Sequence, residues 1–294
     1  MKRKTLLYSL LPVLAFSMFS VQGCGTSEKE QTVVSVSIEP LKYFVDHLTG
    51  NALEVNVMVP AGASHGTYSP TTSQMQKLSE SALYLRIGSL GYEQAFISRL
   101  NEINPTMRSI DLLDGIELIR GEPIDHGDHV HEGGIDPHIW MSPKVMLSRL
   151  EVIRTHLTEV FPHLQSTIDA NYLALHSEVE RMHQQMEQLT GELTQRRFLI
   201  FHPALTYLAR DYGLEQVSIE FEGKEPAPAR LAQLIRDARA INIPVIFIQE
   251  EYDVRNAEII AAETGAAVEP ISTLSYNWME TMQNLMVTLE EHLK

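Results

Sequence analysis

Cysteine is nearly absent from this chain, because Cys24 is the only one among its 294 residues. A single thiol excludes a disulfide framework within one chain and a zinc site built from several thiolates. Basic residues are also scarce: 23 Lys and Arg face 38 Asp and Glu, and the formal net charge is −15. This deficit argues against a nucleic-acid-binding protein, which needs clustered positive charge. With 44% hydrophobic residues, 16 Gly and 14 Pro, the composition is that of a globular protein.

The common signatures of catalysis are missing as well. The sequence contains no H-E-x-x-H zinc-protease pair, no G-x-x-x-x-G-K-[ST] phosphate loop and no G-x-S-x-G nucleophile turn. His129 and His131 form a hydrolase-like pair, but Gly133 and Gly134 follow where further ligands would be needed. A metal-dependent hydrolase therefore remains only a secondary hypothesis.

The N-terminal 23 residues have the layout of a secretory signal peptide. A positive start at residues 2–4 precedes an apolar run at residues 5–21, which is short for a transmembrane helix. The segment VQGC, which ends at Cys24, resembles a bacterial lipobox and predicts that Cys24 becomes the lipidated first residue. The alternative is an ordinary signal peptide with an incidental cysteine.

Lipidation at Cys24 predicts a protein that is anchored to a membrane without spanning it. Residues 24–32 are then a lipidated polar tether. Removal of residues 1–23 takes away three positive charges and no negative ones, which leaves a net charge of −18.

Strand and helix patterns alternate in two parts of the chain. Alternation of apolar and polar residues at 33–38 and 53–59 predicts strands, with a helical pattern between them. The apolar run at 197–201 begins a second series of strands and helices. These series predict two parallel-sheet α/β lobes, at 33–141 and 196–294.

Residues 142–195, between the two lobes, are almost entirely helical in character. Ser142 and Pro143 are typical of an N-cap followed by a first helical residue, and Pro162 interrupts the pattern. A second run extends from about Leu164 to Leu193 and would span about 45 Å. We expect this run to bridge the two lobes, and the alternative is a long packed surface helix.

Three histidines and one carboxylate occupy equivalent places in the α/β pattern. His65 and His138 each stand four positions before a Ser-Pro pair, which predicts a helix start in both cases. His202 follows the strand predicted at 197–201 and precedes a proline that again predicts a helix. Glu269 ends the last short predicted strand and also precedes a proline.

Ligands of α/β proteins bind at the carboxyl ends of strands, where these four residues are predicted to lie. A single histidine there is more often an ordinary hydrogen-bonded residue, but three of them favour a shared site. Three imidazoles and a carboxylate fit a four-coordinate site for a metal such as Zn²⁺. A site saturated in this way leaves no position for a catalytic water, which argues against an enzyme.

A polar, glycine-rich segment at residues 121–136 interrupts the first lobe. It contains His126, His129 and His131 among acidic residues. We interpret it as a mobile loop that binds metal weakly, and the alternative is a solvated acidic loop.

These residues and their surroundings resemble a known family. The segments PAGASHGTYSP, IDPHIWMSP, FHPALTYLARDYGL and EGKEPAPARLAQLI are similar to those of the lipoprotein solute-binding components of bacterial ABC importers for zinc and manganese. The resemblance covers nearly the whole mature chain. It implies two α/β lobes joined by a long rigid helix, with the metal site in the cleft between the lobes.

The resemblance places the metal ligands on His65, His138, His202 and Glu269. Zinc-type members tend to have histidine at the third position and manganese-type members glutamate, so His202 implies zinc. The fourth ligand is usually aspartate, so Glu269 departs from the family pattern. The loop with His126, His129 and His131 resembles a shorter form of the zinc-type loop.

The resulting hypothesis is a lipid-anchored, extracytoplasmic zinc receptor and not an enzyme. Its partners would be an ABC permease and a cytoplasmic ATPase, with no nucleic acid, and the receptor would be a monomer. Neutral imidazole must bind the metal, so we expect affinity to fall below about pH 6.5. The alternatives are a manganese or iron receptor with the same fold, the hydrolase mentioned above, and an adhesin.

Overall fold

Two parallel sheets flanked by helices make up the fold, so the predicted fold class is confirmed. The computed structural model describes residues 32–121, 124–125, 130–131, 134–220 and 226–294. Within these ranges, no helix has the length and apolar content that crossing a bilayer requires.

The first sheet is formed by strands that alternate with helices. In chain order its elements are β1 (Val33–Ile38), α1 (Glu39–Thr49), β2 (Glu54–Val59), α2 (Thr72–Ser79), β3 (Leu83–Arg86), α3 (Gly91–Ile103) and β4 (Arg108–Asp111). The strands run parallel in the order β2-β1-β3-β4. The sequence pattern did not predict β4, which is a short edge strand.

The serines of β1 are buried together with its valines, although the strand alternates polar and apolar residues. Ser35 Oγ lies 2.8 Å from Ser81 Oγ and accepts a hydrogen bond from Asn56 Nδ2 at 2.9 Å. Ser37 donates to the carboxylate of Glu93 in α3. Because helices cover both faces of a parallel sheet, this alternation does not mark a solvent-exposed face.

The predicted helix start at Ser69 and Pro70 is wrong, because α2 begins at Thr72. The Thr71 hydroxyl accepts the backbone N–H of Gln74, and the Gln74 side chain accepts the backbone N–H of Thr71. This reciprocal capping box provides the hydrogen bonds that an N-cap serine would otherwise supply.

A short hairpin and two helices follow the first sheet. They are β5 (Ile124–Asp125), β6 (Val130–His131), α4 (Pro143–Val160) and α5 (Gln165–Glu192). The predicted start of α4 is confirmed: the Ser142 hydroxyl accepts the N–H of Val145 at 3.3 Å, and Pro143 is the first helical residue.

The second sheet repeats the alternation of strands and helices. Its elements are β7 (Arg197–Ile200), α6 (Thr206–Tyr212), β8 (Glu215–Ser218), α7 (Pro228–Ala240), β9 (Val245–Gln249), α8 (Arg255–Thr264), β10 (Ala267–Ile271) and α9 (Trp278–Leu293). The strands are parallel in the order β10-β9-β7-β8.

Helix α5 links the helical layers of the two sheets. Its 28 residues span about 42 Å, and it packs against α1 and α4 on one side of the molecule and against α6 and α9 on the other. Its buried residues include Ile168, Leu175, Val179, Met182 and Met186. The predicted bridging helix is therefore confirmed, whereas the exact lobe boundaries at 33–141, 142–195 and 196–294 remain predictions.

Candidate metal centre

His65, His138 and His202 come from three separate segments and meet in the interior. His65 lies in the loop after β2, His138 precedes the turn that leads into α4, and His202 follows β7. His65 and His138 are only 3% and 2% exposed, and the His202 side chain is 16% exposed. The structure therefore brings together three of the four residues for which the sequence pattern predicted a shared site, and their role as metal ligands stays a prediction.

The Nε2 atoms of the three rings face one another. His138 Nε2 lies 3.0 Å from His65 Nε2 and 3.2 Å from His202 Nε2. One nitrogen from each ring belongs to a group whose atoms all lie within 4.8 Å of one another. This spacing matches a single ion that sits among three imidazole nitrogens at about 2 Å from each.

Two carboxylates that are largely shielded from solvent orient two of these rings. His138 Nδ1 lies 2.8 Å from Asp136 Oδ1, and His202 Nδ1 lies 2.6 Å from Glu220 Oε1. An ionised carboxylate only accepts hydrogen bonds, so each Nδ1 carries the proton and donates it. The Nε2 atoms of both rings are then left with lone pairs, which is the state that binds a metal.

This assignment brings two acceptors face to face. With protons on both Nδ1 atoms, the Nε2 lone pairs of His138 and His202 point at each other across 3.2 Å. The two lone pairs repel, and a cation between them replaces that repulsion with two coordinate bonds. The donor set therefore favours a metal ion over a neutral ligand.

Burial favours the neutral form of two of the rings. Desolvation lowers the pKa of His65 well below its ordinary value, and the charges of His138 and His202 lower it further. Desolvation also lowers the pKa of His138, although Asp136 opposes this effect. His65 differs from the other two rings in that its buried Nδ1 has no hydrogen-bond partner among the described residues.

Trp140 forms one wall of the site and connects it to the second half of the chain. Its ring centroid lies 5.9 Å from that of His65 and 5.1 Å from that of His138. Its Nε1 donates to the carbonyl of Thr273 at 2.7 Å, and Trp278 Nε1 donates to the carbonyl of Trp140 at 2.7 Å. These bonds fix the His138 segment against residues that follow β10.

Glu269 is not brought together with the three histidines, contrary to the expected convergence. The sequence pattern placed it at the end of a strand, but β10 continues through Pro270 to Ile271. Proline is tolerated there because β10 is an edge strand. Glu269 thus lies within the strand, and its carboxylate lies 3.2 Å from Nε2 of His292 in α9.

The helix start that was predicted at the proline after His202 is also wrong. Pro203 does not begin a helix, because α6 starts at Thr206, after a turn. The predicted loop ligands His126 and His129 lie outside the described residues, as does the predicted lipidation site Cys24. His131 is the last residue of β6, and the structure describes its backbone but not its side chain.

Three polar residues that hydrogen-bond to the site histidines were not predicted from the sequence pattern. Asp136 precedes His138 by two positions, and Glu220 and Gln249 follow or end β8 and β9. Gln249 accepts the N–H of His202 at 3.2 Å and donates to its carbonyl at 2.7 Å. All three stand near strand ends or within two residues of a histidine, and this position in the sequence could have marked them as neighbours of the site.

Known protein families and solved structures match this chain over nearly its whole length. The family model for the zinc-uptake complex component A, periplasmic (ZnuA) matches residues 34–292. The zinc-binding lipoprotein AdcA of Streptococcus pneumoniae is 25% identical, over 97% of this chain and 59% of AdcA. The chain therefore spans about three fifths of the length of the curated AdcA relatives that it matches.

Solved structures show the same likeness. A crystal structure of ZnuA has a TM-score of 0.81 and 34% identity, and the match covers 90% of this chain and 99% of that one. A deletion mutant of ZnuA with zinc bound has a TM-score of 0.80 and 33% identity, with 90% of this chain and 98% of that one covered.

Proposed function

Because the chain belongs to the family of periplasmic zinc-uptake components (ZnuA), we propose that it is an extracytoplasmic receptor that binds Zn²⁺ and delivers it to an ABC importer. The main support is the convergence of three imidazole Nε2 atoms in the interior of the protein. The solved ZnuA mutant with zinc bound supports the same metal.

In this proposal His65, His138 and His202 are the ligands of the transported ion. Asp136 and Glu220 hold two of the rings with Nε2 free, so the ion meets oriented lone pairs and the rings need little rearrangement. The protein binds and releases the ion without a chemical step, so its role is that of a receptor and not of an enzyme.

The proposed cellular setting follows from the N-terminal sequence and from the relatives. Lipidation of Cys24 would anchor the chain outside the cytoplasmic membrane, and AdcA of Streptococcus pneumoniae is named a lipoprotein. The partners would be the permease and the cytoplasmic ATPase of a metal importer. The loop with His126, His129 and His131 would raise the local concentration of metal near the site.

Zinc is favoured over manganese by the type of donor. Imidazole nitrogen suits Zn²⁺, whereas Mn²⁺ prefers carboxylate and other oxygen ligands. The described group that can hold a metal consists of three histidines. A manganese receptor is the alternative, and it would need oxygen ligands to dominate the site.

Titration of the metal-free full-length protein with Zn²⁺ and Mn²⁺, each against a competing chelator, tests this proposal. We expect one tight Zn²⁺ site per chain and Mn²⁺ binding that is at least hundredfold weaker. Equal or tighter Mn²⁺ binding would contradict the zinc proposal and support the alternative of a manganese receptor. Absence of a tight site for either metal would refute the proposed function.

The pH dependence of zinc binding should reflect the lowered pKa values of His65 and His138. Protons compete with the metal only when the pH approaches the pKa of a ligand. Since burial places both pKa values below that of free histidine, affinity should change little between about pH 7.5 and 6.5 and fall at lower pH. Chelator competition at a series of pH values measures this, and a steep loss above pH 6.5 would contradict it.

A further inference from the structure

The turn after β9 lies directly against the candidate metal centre. Gln249, the last residue of β9, forms two hydrogen bonds with the backbone of His202. Three residues further on, the Tyr252 ring stacks on the His202 ring at 5.3 Å between centroids and 20° between planes. Glu251 stands between two residues that both contact His202, so the fold holds its backbone beside the metal centre.

One oxygen of the Glu251 carboxyl lacks a partner, although the carboxyl also accepts a hydrogen bond from the backbone of Glu251 itself. Its Oε1 atom is buried and has no hydrogen-bond partner among the described residues. A buried carboxylate oxygen without a partner is costly, and native proteins rarely keep one without a role. The Glu251 carboxyl is close enough to His202 for the two side chains to interact electrostatically.

We propose that Glu251, and not Glu269, supplies the carboxylate ligand that completes the three-histidine site. This inference rests on the proposed function. Zn²⁺ in a closed site takes four ligands in tetrahedral geometry, and three imidazoles leave one position for an oxygen. Glu251 is not part of the group of atoms that lie within 4.8 Å of one another. This role therefore requires its side chain to move toward the ion when zinc binds.

Two neighbouring carboxylates provide matched controls. Glu250 precedes Glu251 directly but is exposed, and it lines a separate cavity with Pro270 and Glu280. Glu269 has a side chain that is 34% exposed and is hydrogen-bonded to His292. Both residues carry the same charge as Glu251, so they report the general effect of removing a negative charge near the site.

The test compares the full-length wild type with the variants Glu251→Gln, Glu251→Ala, Glu250→Gln and Glu269→Gln. Zinc affinity is measured against a competing chelator, and the visible absorption spectrum of each Co²⁺ complex reports the ligand set. The melting temperature of each metal-free variant shows whether the fold is retained. We expect both Glu251 variants to bind zinc at least tenfold more weakly and to change the Co²⁺ spectrum. The two controls should stay within twofold of wild type with an unchanged spectrum.

The outcomes separate this inference from the function on which it rests. A wild type that binds zinc tightly, with Glu251 variants of equal affinity and spectrum, overturns the inference alone and leaves the fourth position to water or another group. A loss of zinc affinity in Glu269→Gln alone likewise overturns the inference and identifies Glu269 as the fourth ligand. A wild type without a tight zinc site overturns both the proposed function and this inference.

Discussion

Replacement of His138 with alanine is expected to lower zinc affinity by at least hundredfold. His138 is the central ring of the three, since its Nε2 lies 3.0 Å from that of His65 and 3.2 Å from that of His202. Structural zinc sites with four ligands contribute about 10–16 kcal/mol, or roughly 3 kcal/mol per ligand. A tenfold change in affinity corresponds to about 1.4 kcal/mol, so the loss of one ligand exceeds a hundredfold.

The measurement is a zinc titration of wild type, His138→Ala and a control, His156→Ala, against a competing chelator. His156 lies on α4, where its ring contacts Glu159 far along the helix from the site, so its removal should leave zinc affinity unchanged. If His138→Ala kept wild-type affinity, the three Nε2 atoms would not form the binding site, and the ligand assignment would fail.

Replacement of Glu93 with alanine is expected to destabilise the fold by about 3 kcal/mol. Glu93 is fully buried in the first turn of α3, where its carboxylate accepts the backbone N–H groups of Ile87, Gly88 and Leu90 at 3.1, 2.7 and 3.1 Å. Burial raises the pKa of this carboxyl, so burial of the charge itself carries a cost. Ile87 N–H also donates to Ser37 Oγ at 3.0 Å, so it keeps an acceptor in the variant. Alanine removes the cost of the buried charge but leaves the N–H groups of Gly88 and Leu90 without an acceptor, each at about 1–3 kcal/mol.

Thermal unfolding of the metal-free protein measures this effect. For a protein of this size, about 3 kcal/mol corresponds to a decrease in melting temperature of roughly 6–12 °C. Glu102→Ala is the matched control, because Glu102 lies on the same helix and is exposed. A Glu93→Ala variant with the same melting temperature as the control would show that water or a backbone shift satisfies the N–H groups of Gly88 and Leu90.

The convergence of the histidines was predictable because it depends on the sheet pattern. His65 and His202 follow strands whose order along the chain could be read from hydrophobic alternation, and His138 precedes a helix with a clear cap. The carboxyl ends of parallel strands lie at the ligand-binding edge of their sheet, so the pattern places His65 and His202 each at that edge of its own sheet. The sequence pattern therefore singled out the three histidines that the structure brings together.

The carboxylates were harder to predict because their roles depend on strand ends and packing. Glu269 was predicted to end β10 because a proline follows it, whereas an edge strand accommodates that proline and β10 continues to Ile271. Nothing in the sequence distinguishes Asp136 and Glu220 from other acidic residues, because their role depends on their distances to the imidazole rings. Nothing in the alternation of β1 distinguishes Ser37, which is buried against Glu93, from a surface serine.

The separation of the three histidines along the chain determines when metal binding can contribute to folding. His65 and His138 are 73 residues apart, and His138 and His202 are 64 residues apart. Closing loops of this length has a large entropic cost, which local structure cannot offset until both sheets have formed. A zinc ion therefore cannot nucleate this protein as it nucleates a zinc finger, whose ligands lie within one short segment. The chain must be complete beyond His202 and folded before the three rings meet, so a bound metal would stabilise only the folded protein.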